Sequence, residues 1–320
     1  MPSSTLGDLA DAYSRVSAGN AALLEQFHAF ATLLEQAHIP FLVLKGLDVL
    51  VRCYGIRGTR PLSDVDLLVH ETDLTSIDKI LTAAGYSKQI DGNPCYASPG
   101  KGLAFDIVTT LWYLDEQGLA ELWADARPHI IHTRTLSLLA ADDLLIHLTA
   151  YAVIHRGTLT PAWKQDMRLL LLHESIEWTA LTRKARQYSL SIPLLYGLTY
   201  LRHRMPTLPI PESFLQSLAP GGGSDRVLYW LLQRLVTTQP IPELGHFLIW
   251  LTRPAGKKWS WLRRTVIPSK MFLEYRYGAA ATRAPLVTRC RRLIGLVWAM
   301  LILATRIVRR LLRSPMRSPV

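Results

Sequence analysis

Arg60-Pro-Leu-Ser-Asp-Val-Asp-Leu-Leu-Val69 is the stretch on which the fold turns. Its run from Val65 to Val69 reads as a buried strand, and strand alternation sets Asp64 and Asp66 on the side opposite Val65 and Leu67. Two carboxylates that close repel each other unless a proton or a cation stands between them. Mg²⁺ takes hard oxygen ligands, commonly one or two carboxylates completed by substrate phosphates, so the pair points toward phosphate chemistry. An Asp-x-Asp pair by itself more often describes solvated turn residues or helix caps, and its neighbours decide between the readings.

Upstream, Phe41-Leu-Val-Leu44 is a short apolar run of strand type, broken at Lys45-Gly46 and followed by Leu47-Asp-Val-Leu-Val-Arg-Cys-Tyr54 at helical period. This reads as strand, glycine turn, helix. Gly46 permits close backbone approach at a helix N-terminus, where free N–H groups and the dipole favour an anion, and Lys45 adds a full positive charge. Downstream, Leu103-Ala-Phe-Asp-Ile-Val108 alternates, with Phe105 and Ile107 on one side and Asp106 on the other. A carboxylate inside an apolar strand needs a partner, and a metal site would supply one.

Leu44-Lys-Gly46, Tyr54, Arg57 or Arg60, Asp64-Val-Asp-Leu-Leu-Val69, a helix closing at Ala84-Gly-Tyr86 and a later strand Asp together resemble the uncharacterised nucleotidyltransferase family of the DNA polymerase β-type nucleotidyltransferase superfamily. Ala141-Asp-Asp-Leu-Leu-Ile-His147, His155 and Trp163-Lys-Gln-Asp166 are similar to the helical half of those proteins. Val266-Ile-Pro-Ser-Lys-Met-Phe-Leu-Glu-Tyr275 is similar to their C-terminal proline and tyrosine segment. The likeness runs over roughly residues 20 to 280. Two departures stand out. Superfamily members usually carry Gly-Ser after the first strand, where this chain, like the subfamily, has Lys45-Gly46. The third Asp is typically followed by a strand His and Trp, where Asp106 is followed by Ile107, Val108, Thr109 and only later Trp112.

The resemblance implies an α+β fold, a small mixed-sheet nucleotidyltransferase core with a larger all-helical C-terminal lobe. It implies metal-dependent transfer of a nucleoside monophosphate from a nucleoside triphosphate (NTP) to an acceptor. Asp64, Asp66 and Asp106 would be the catalytic residues and the ligands of two Mg²⁺ ions, the first held by Asp64 and Asp66 and the second shared with Asp106. Lys45, Gly46 and Arg60 would bind the phosphates.

With 320 residues, 49% hydrophobic and 19% charged, the chain can bury a sizeable core. Cys53, Cys95 and Cys290 are widely spaced and odd in number, so neither a disulfide framework nor a thiolate metal site is expected. The first residues lack a charged n-region and an apolar h-region, which makes a cytoplasmic location the expectation. The expected organisation is an N-terminal helical segment over 1–37, a nucleotidyltransferase core over 38–135, a helical domain over 136–284, and a basic amphipathic helix and tail over 285–320.

Within the first part, Leu23, Leu24, Phe27, Phe30, Leu33 and Leu34 recur at helical spacing and predict a packing face on one or two helices. Turn residues lie at Asp91-Gly-Asn-Pro and Ser98-Pro-Gly-Lys-Gly102, where Lys101 reads either as a phosphate contact or as a solvated hairpin lysine. From Ala141 the period is helical. Asp142 can cap a helix that carries Leu144, Leu145, Leu148 and Tyr151 on its apolar side. His147 and His155 fall about two turns apart with Tyr151 between; without a third ligand at tight spacing they read as structural histidines, and Asp166 as an interhelical hydrogen-bond acceptor.

Charge is uneven. Residues 251–320 hold sixteen lysines and arginines against the single acid Glu274, a net of +15, while the whole chain is +11, leaving the first 250 residues at about −4. That balance does not support nucleic-acid binding by the core. The uncharged run Leu293 to Thr305 is 13 residues, about 20 Å of helix, short of the roughly 30 Å hydrocarbon core of a bilayer. After it Arg306, Arg309, Arg310 and Arg313 recur on one side, with Ile307, Val308, Leu311 and Leu312 on the other. Such a basic amphipathic helix over residues 289–313 either lies on an anionic membrane surface, giving a peripheral position at its inner face, or packs on the protein's own lobe with arginines toward solvent. Trp259, Trp261, Arg263 and Arg264 form a second aromatic and basic cluster just upstream.

Three classes of function stay open from sequence: a nucleotidyltransferase with a small-molecule, glycan-precursor or protein acceptor; a nucleotide-binding accessory or regulatory protein without turnover; and an RNA-modifying transferase of toxin type.

Overall fold

Strand alternation and two helical stripes build the N-terminal half of this computed structural model, which describes residues 3–55, 59–91, 93–99, 102–131, 134–253, 255–278 and 280–313. The elements begin with helix α1 (Ser3–Gln36), strand β1 (Phe41–Leu44), helix α2 (Lys45–Val49), a π-helical turn (Leu50–Tyr54), strand β2 (Asp64–Val69) and helix α3 (Leu74–Ala83). They continue with β3 (Ser87–Asp91), β4 (Asn93–Ala97), β5 (Ala104–Val108), helix α4 (Glu116–Asp125), β6 (Arg127–Ile131) and β7 (Arg134–Leu138). Among the described residues the strands form one seven-stranded sheet in the order β3-β4-β5-β2-β1-β7-β6. It is mixed: β2 runs parallel to β5 and β1 to β7, while the other neighbours are antiparallel. The fold is therefore α+β with a small mixed sheet and a helical C-terminal part.

One face of that sheet is the core. Val43, Val65, Leu67, Val69, Phe105 and Ile107 bury into a cluster with Leu24, Phe27, Phe30 and Leu34 of α1 and Ile77 and Leu81 of α3. Each such aliphatic or aromatic side chain removed from water contributes about 1.5–3 kcal/mol. Phe30 stacks on Phe105 at 3.9 Å between ring centroids, 9° from parallel. The stripe expected on one or two helices lies on the single continuous α1.

The chain forms two compact units, Met1–Ala140 with Tyr275–Gly278, and Ala141–Glu274 with Ala279–Val320. The second unit is helical. Helices α5 (Ala141–Ala150), α6 (Pro161–His173), α7 (Trp178–Gln187), α8 (Ser191–Arg204), α9 (Glu212–Ser217) and α10 (Gly223–Leu235) are followed by α11 (Leu244–Thr252), α12 (Ala255–Val266), α13 (Lys270–Tyr277), α14 (Ala280–Arg283) and α15 (Pro285–Arg313). Asp142 lies inside the first turn of α5 instead of capping it. Its carboxylate pairs with Lys184 of α7 at 3.0 Å and Asp143 pairs with the same ammonium at 2.7 Å, because a lysine only 2% exposed needs counter-charge more than a helix end needs a cap.

After α5 the helix widens into a π-helical segment, Tyr151–Arg156. The rings of His147 and Tyr151 lie 6.4 Å apart, and those of Tyr151 and His155 stack at 4.8 Å, so the three share a face. Gly157, at φ +62°, ends the segment, and Gly245 of α11 crosses it so tightly that an added Cβ would fall 1.8 Å from the His155 carbonyl oxygen. Asp166 is buried.

Helix α15 packs on α10 through one side, where Leu303 is buried and Arg310 donates to the carbonyl of Gln239 and the hydroxyl of Thr237. The arginines expected to share a solvated side are split: Arg306 and Arg309 are exposed, Arg310 turns inward to these nonlocal acceptors, and the side chain of Arg313 lies outside the described residues. Val308 and Leu312 face outward with Arg309. Among the described residues no helix is long and apolar enough to cross a membrane.

Candidate active site

Two strand registers assemble the site. In the parallel β2–β5 ladder Asp66 is the partner of Asp106 and Asp64 of Ala104, and in the antiparallel β1–β2 ladder Leu44 is the partner of Asp66. Residues paired across a sheet point to the same face, and neighbouring strands lie about 4.8 Å apart, so Asp64, Asp66 and Asp106 rise from one small area of the face opposite the core. Burial alternates on β5, where Phe105 and Ile107 are inaccessible and Asp106 is half-buried; on β2 only Asp64 is exposed, and Val65 to Val69 are buried.

Leu44 ends β1 and hands the chain to Lys45, which adopts φ +47°. From there its Nζ donates to Oδ1 of Asp66 at 2.6 Å. The expected helix over 47–54 is a short α-helix, Lys45–Val49, that passes into the π-helical turn Leu50–Tyr54, a one-residue widening of the kind often found at functional sites. Gly46 lies against the guanidinium of Arg60: an added Cβ there would sit 2.9 Å from its Nη1. Arg60, distant in the chain, thus meets Gly46 next to Lys45, which is bonded to the Asp66 carboxylate.

Asp66 is 8% exposed, and burial holds its carboxyl above the usual carboxylate range. Lys45 pulls it back down through charge and hydrogen bond, while the charges of Asp64 and Asp106 push it up again. Asp64 Oδ1 also accepts from the hydroxyl of Ser63 at 2.9 Å.

Two buried polar devices hold these pieces, and neither was expected from sequence. Asn20 of α1, 2% exposed, donates to the Arg60 carbonyl at 2.9 Å and accepts from the Leu62 amide at 3.0 Å, clamping the approach to β2. Asp48, fully buried, accepts from Arg52 Nε at 2.8 Å and from the Leu139 amide at 3.2 Å, and Arg52 also donates to the Leu139 carbonyl at 2.6 Å. This ties α2 to the end of β7. A signal existed in both cases: Asn20 falls within the apolar stripe of Leu23, Leu24 and Phe27, and Asp48 and Arg52 are an i,i+4 pair inside an apolar helix.

Among the described residues no three His, Cys, Asp or Glu side chains are gathered closely enough to hold a metal ion. Lys45 occupies Oδ1 of Asp66, the central oxygen of the three-carboxylate face. The donor chemistry nonetheless suits a hard divalent cation, since carboxylates from two adjacent strands share one face and the charges of Asp64 and Asp106 push the Asp66 carboxyl up. Tyr54 packs against the core, while Arg57 and Lys101 lie outside the described residues.

A family model described as uncharacterised nucleotidyltransferase matches residues 1–206. No curated protein matches. Among solved structures, the antibiotic-resistance factor ANT(2'')-Ia in solution is 15% identical, with 58% of this chain and 98% of that chain covered and a TM-score of 0.40. ANT(2'')-Ia in complex with adenylyl-2''-tobramycin is 16% identical, with 56% and 95% covered and a TM-score of 0.37. An antigenic nucleotidyltransferase-like protein from Paracoccidioides brasiliensis is 16% identical, with 64% and 92% covered and a TM-score of 0.40.

Proposed function

This chain belongs to the uncharacterised nucleotidyltransferase family, and we propose that it moves a nucleoside monophosphate from an NTP to a small-molecule, glycan-precursor or protein acceptor in a Mg²⁺-dependent reaction. The observation that carries this reading is the shared face of Asp64, Asp66 and Asp106 beside the meeting point of Lys45, Gly46 and Arg60. In this reading residues 38–135 are the transferase core, supported by the segment 1–37, with 136–284 as helical domain and 285–320 as appendage.

Asp64, Asp66 and Asp106 would hold divalent ions, two in the arrangement proposed. Bound there, the ions would neutralise the triphosphate and lower the acceptor's pKa. The side chains do the rest. With a cation bound, Asp66 would hold it in place of the Lys45 ammonium, for which its carboxyl must be ionised. Lys45 Nζ would then be available to a phosphate oxygen as a point charge. Arg60, planar and lying over the bare Gly46, offers a forked donor to the same phosphates. A Cβ-free position lets the backbone and the guanidinium approach the anion together.

The second reading, a nucleotide-binding accessory without turnover, rests on the same ion pair, since a carboxylate locked to Lys45 binds no metal. Incubation of the full chain with labelled NTP, Mg²⁺ and a cell extract separates them. Label transfer that stops in Asp66→Asn supports the transferase, and NTP binding with no transfer to any extract component supports the accessory role.

A further inference from the structure

The outward side of α15 carries a row of apolar residues that no other described residue covers. Ile294 is 71% exposed, Trp298 65% and Leu312 80%, and Val287, Val297, Leu301 and Val308 are exposed with them. At 100° per residue these seven fall on one side of the helix, opposite buried Leu303. The helix has seven arginines and no acid. Three of the arginines face inward and are held by carbonyls: Arg289 by Pro268, Arg292 by Thr265 and Arg310 by Gln239. Arg291 and Arg309 remain exposed beside the apolar row, and Arg306 is exposed nearer the Leu303 side. Arg292 also joins α15 to α12, where Trp259, Leu262 and Ile267 near its end are exposed as well.

We propose that this side of α15 docks on the surface of an anionic phospholipid bilayer, with the helix lying in the interface plane. Charge chooses the occupant. A second copy of the chain seated on the same row would bring arginine against arginine with no acid on either helix to compensate, whereas anionic headgroups complement Arg291 and Arg309. A tryptophan among aliphatic residues suits the headgroup boundary, and the inner side of the helix, already tied to α10 and α12, keeps it from crossing. The proposal does not depend on the chemistry at Asp66.

Flotation of the full chain with vesicles tests it. Vesicles of phosphatidylcholine and phosphatidylglycerol should carry the protein upward, those of phosphatidylcholine alone should not, and added salt should weaken the effect. Ile294→Asp with Trp298→Asp should lower the bound fraction about tenfold or more, and Arg291→Glu with Arg309→Glu should lower it several-fold. All four positions are exposed, so melting temperatures should stay at the wild-type value. Absence of flotation on anionic vesicles, or equal flotation of both double variants, overturns the proposal. So does a dimer in light scattering that Ile294→Asp with Trp298→Asp dissolves while vesicles bind neither form.

Discussion

Lys45 Nζ and Asp66 Oδ1 are 2.6 Å apart, joined across the β1–β2 ladder by a lysine in the left-handed region directly after the residue that pairs with Asp66. The bond gives Asp66 its counter-charge while no divalent ion is bound. Loss of Asp66 should therefore cost turnover. Asp66→Asn should lower kcat/KM for NTP on the order of 10²- to 10³-fold, with Asp106→Asn similar and Lys45→Met acting mainly on KM. Transfer of labelled nucleotide measures all three, and an active Asp66→Asn enzyme would remove these carboxylates from the reaction.

The raised Asp66 carboxyl predicts a pH signature. A folded pKa above the unfolded one means that the native state binds the extra proton. Stability contributed by this group is therefore full below the unfolded carboxylate value and is lost as pH rises through the folded pKa. Across that window wild type should lose stability relative to Asp66→Asn in thermal melts. Mg²⁺ competes with the proton for the same carboxylate, so its stabilisation of wild type should grow as pH rises through the window and be absent in Asp66→Asn.

Gly46→Ala places a methyl against the Arg60 guanidinium, the far end of a flexible side chain that can swing aside. Stability should hold to within about 1 kcal/mol, while KM for NTP rises as Arg60 leaves the site. Isothermal titration with a non-hydrolysable NTP compares Gly46→Ala with Arg60→Ala, and the two should weaken binding alike.

Removing one partner of a buried pair leaves the other charge unpaired in a medium that solvates it poorly. Asp48→Ala, which orphans Arg52, and Lys184→Met, which leaves Asp142 and Asp143 facing each other, should each cost about 3–5 kcal/mol in denaturant unfolding. Gly245→Ala has no room beside the His155 carbonyl and should destabilise by about 1–3 kcal/mol or more.

The sheet was legible because Val65 to Val69 is a short apolar run broken only by Asp66, and Phe105 and Ile107 flank Asp106 in alternation. The acids could be assigned to one side of each strand from that alternation alone. What spacing does not carry is register and nonlocal choice of partner. Lys45 read as a phosphate ligand, and its bond to Asp66 depends on Leu44 standing opposite Asp66. Asp142 read as a cap because Lys184 is 42 residues on in the sequence and helix packing alone brings them together. Arg310 read as part of a solvated or membrane-facing row for the same reason, its acceptor being a carbonyl in the loop after α10.

Three points on α1 touch the machinery from behind: Asn20 holds the Arg60–Leu62 segment, Gln26 accepts from the Leu103 amide at 2.7 Å just before the Asp106 strand, and Phe30 lies flat on Phe105. The helix works as a ruler whose three marks keep an arginine and a carboxylate at fixed separation. One residue inserted between Asn20 and Gln26 would turn its marks about 100° out of phase. Because Phe27, Phe30 and Leu34 ride on the same helix, such a shift would take them out of the core as well, and folding would fail together with turnover.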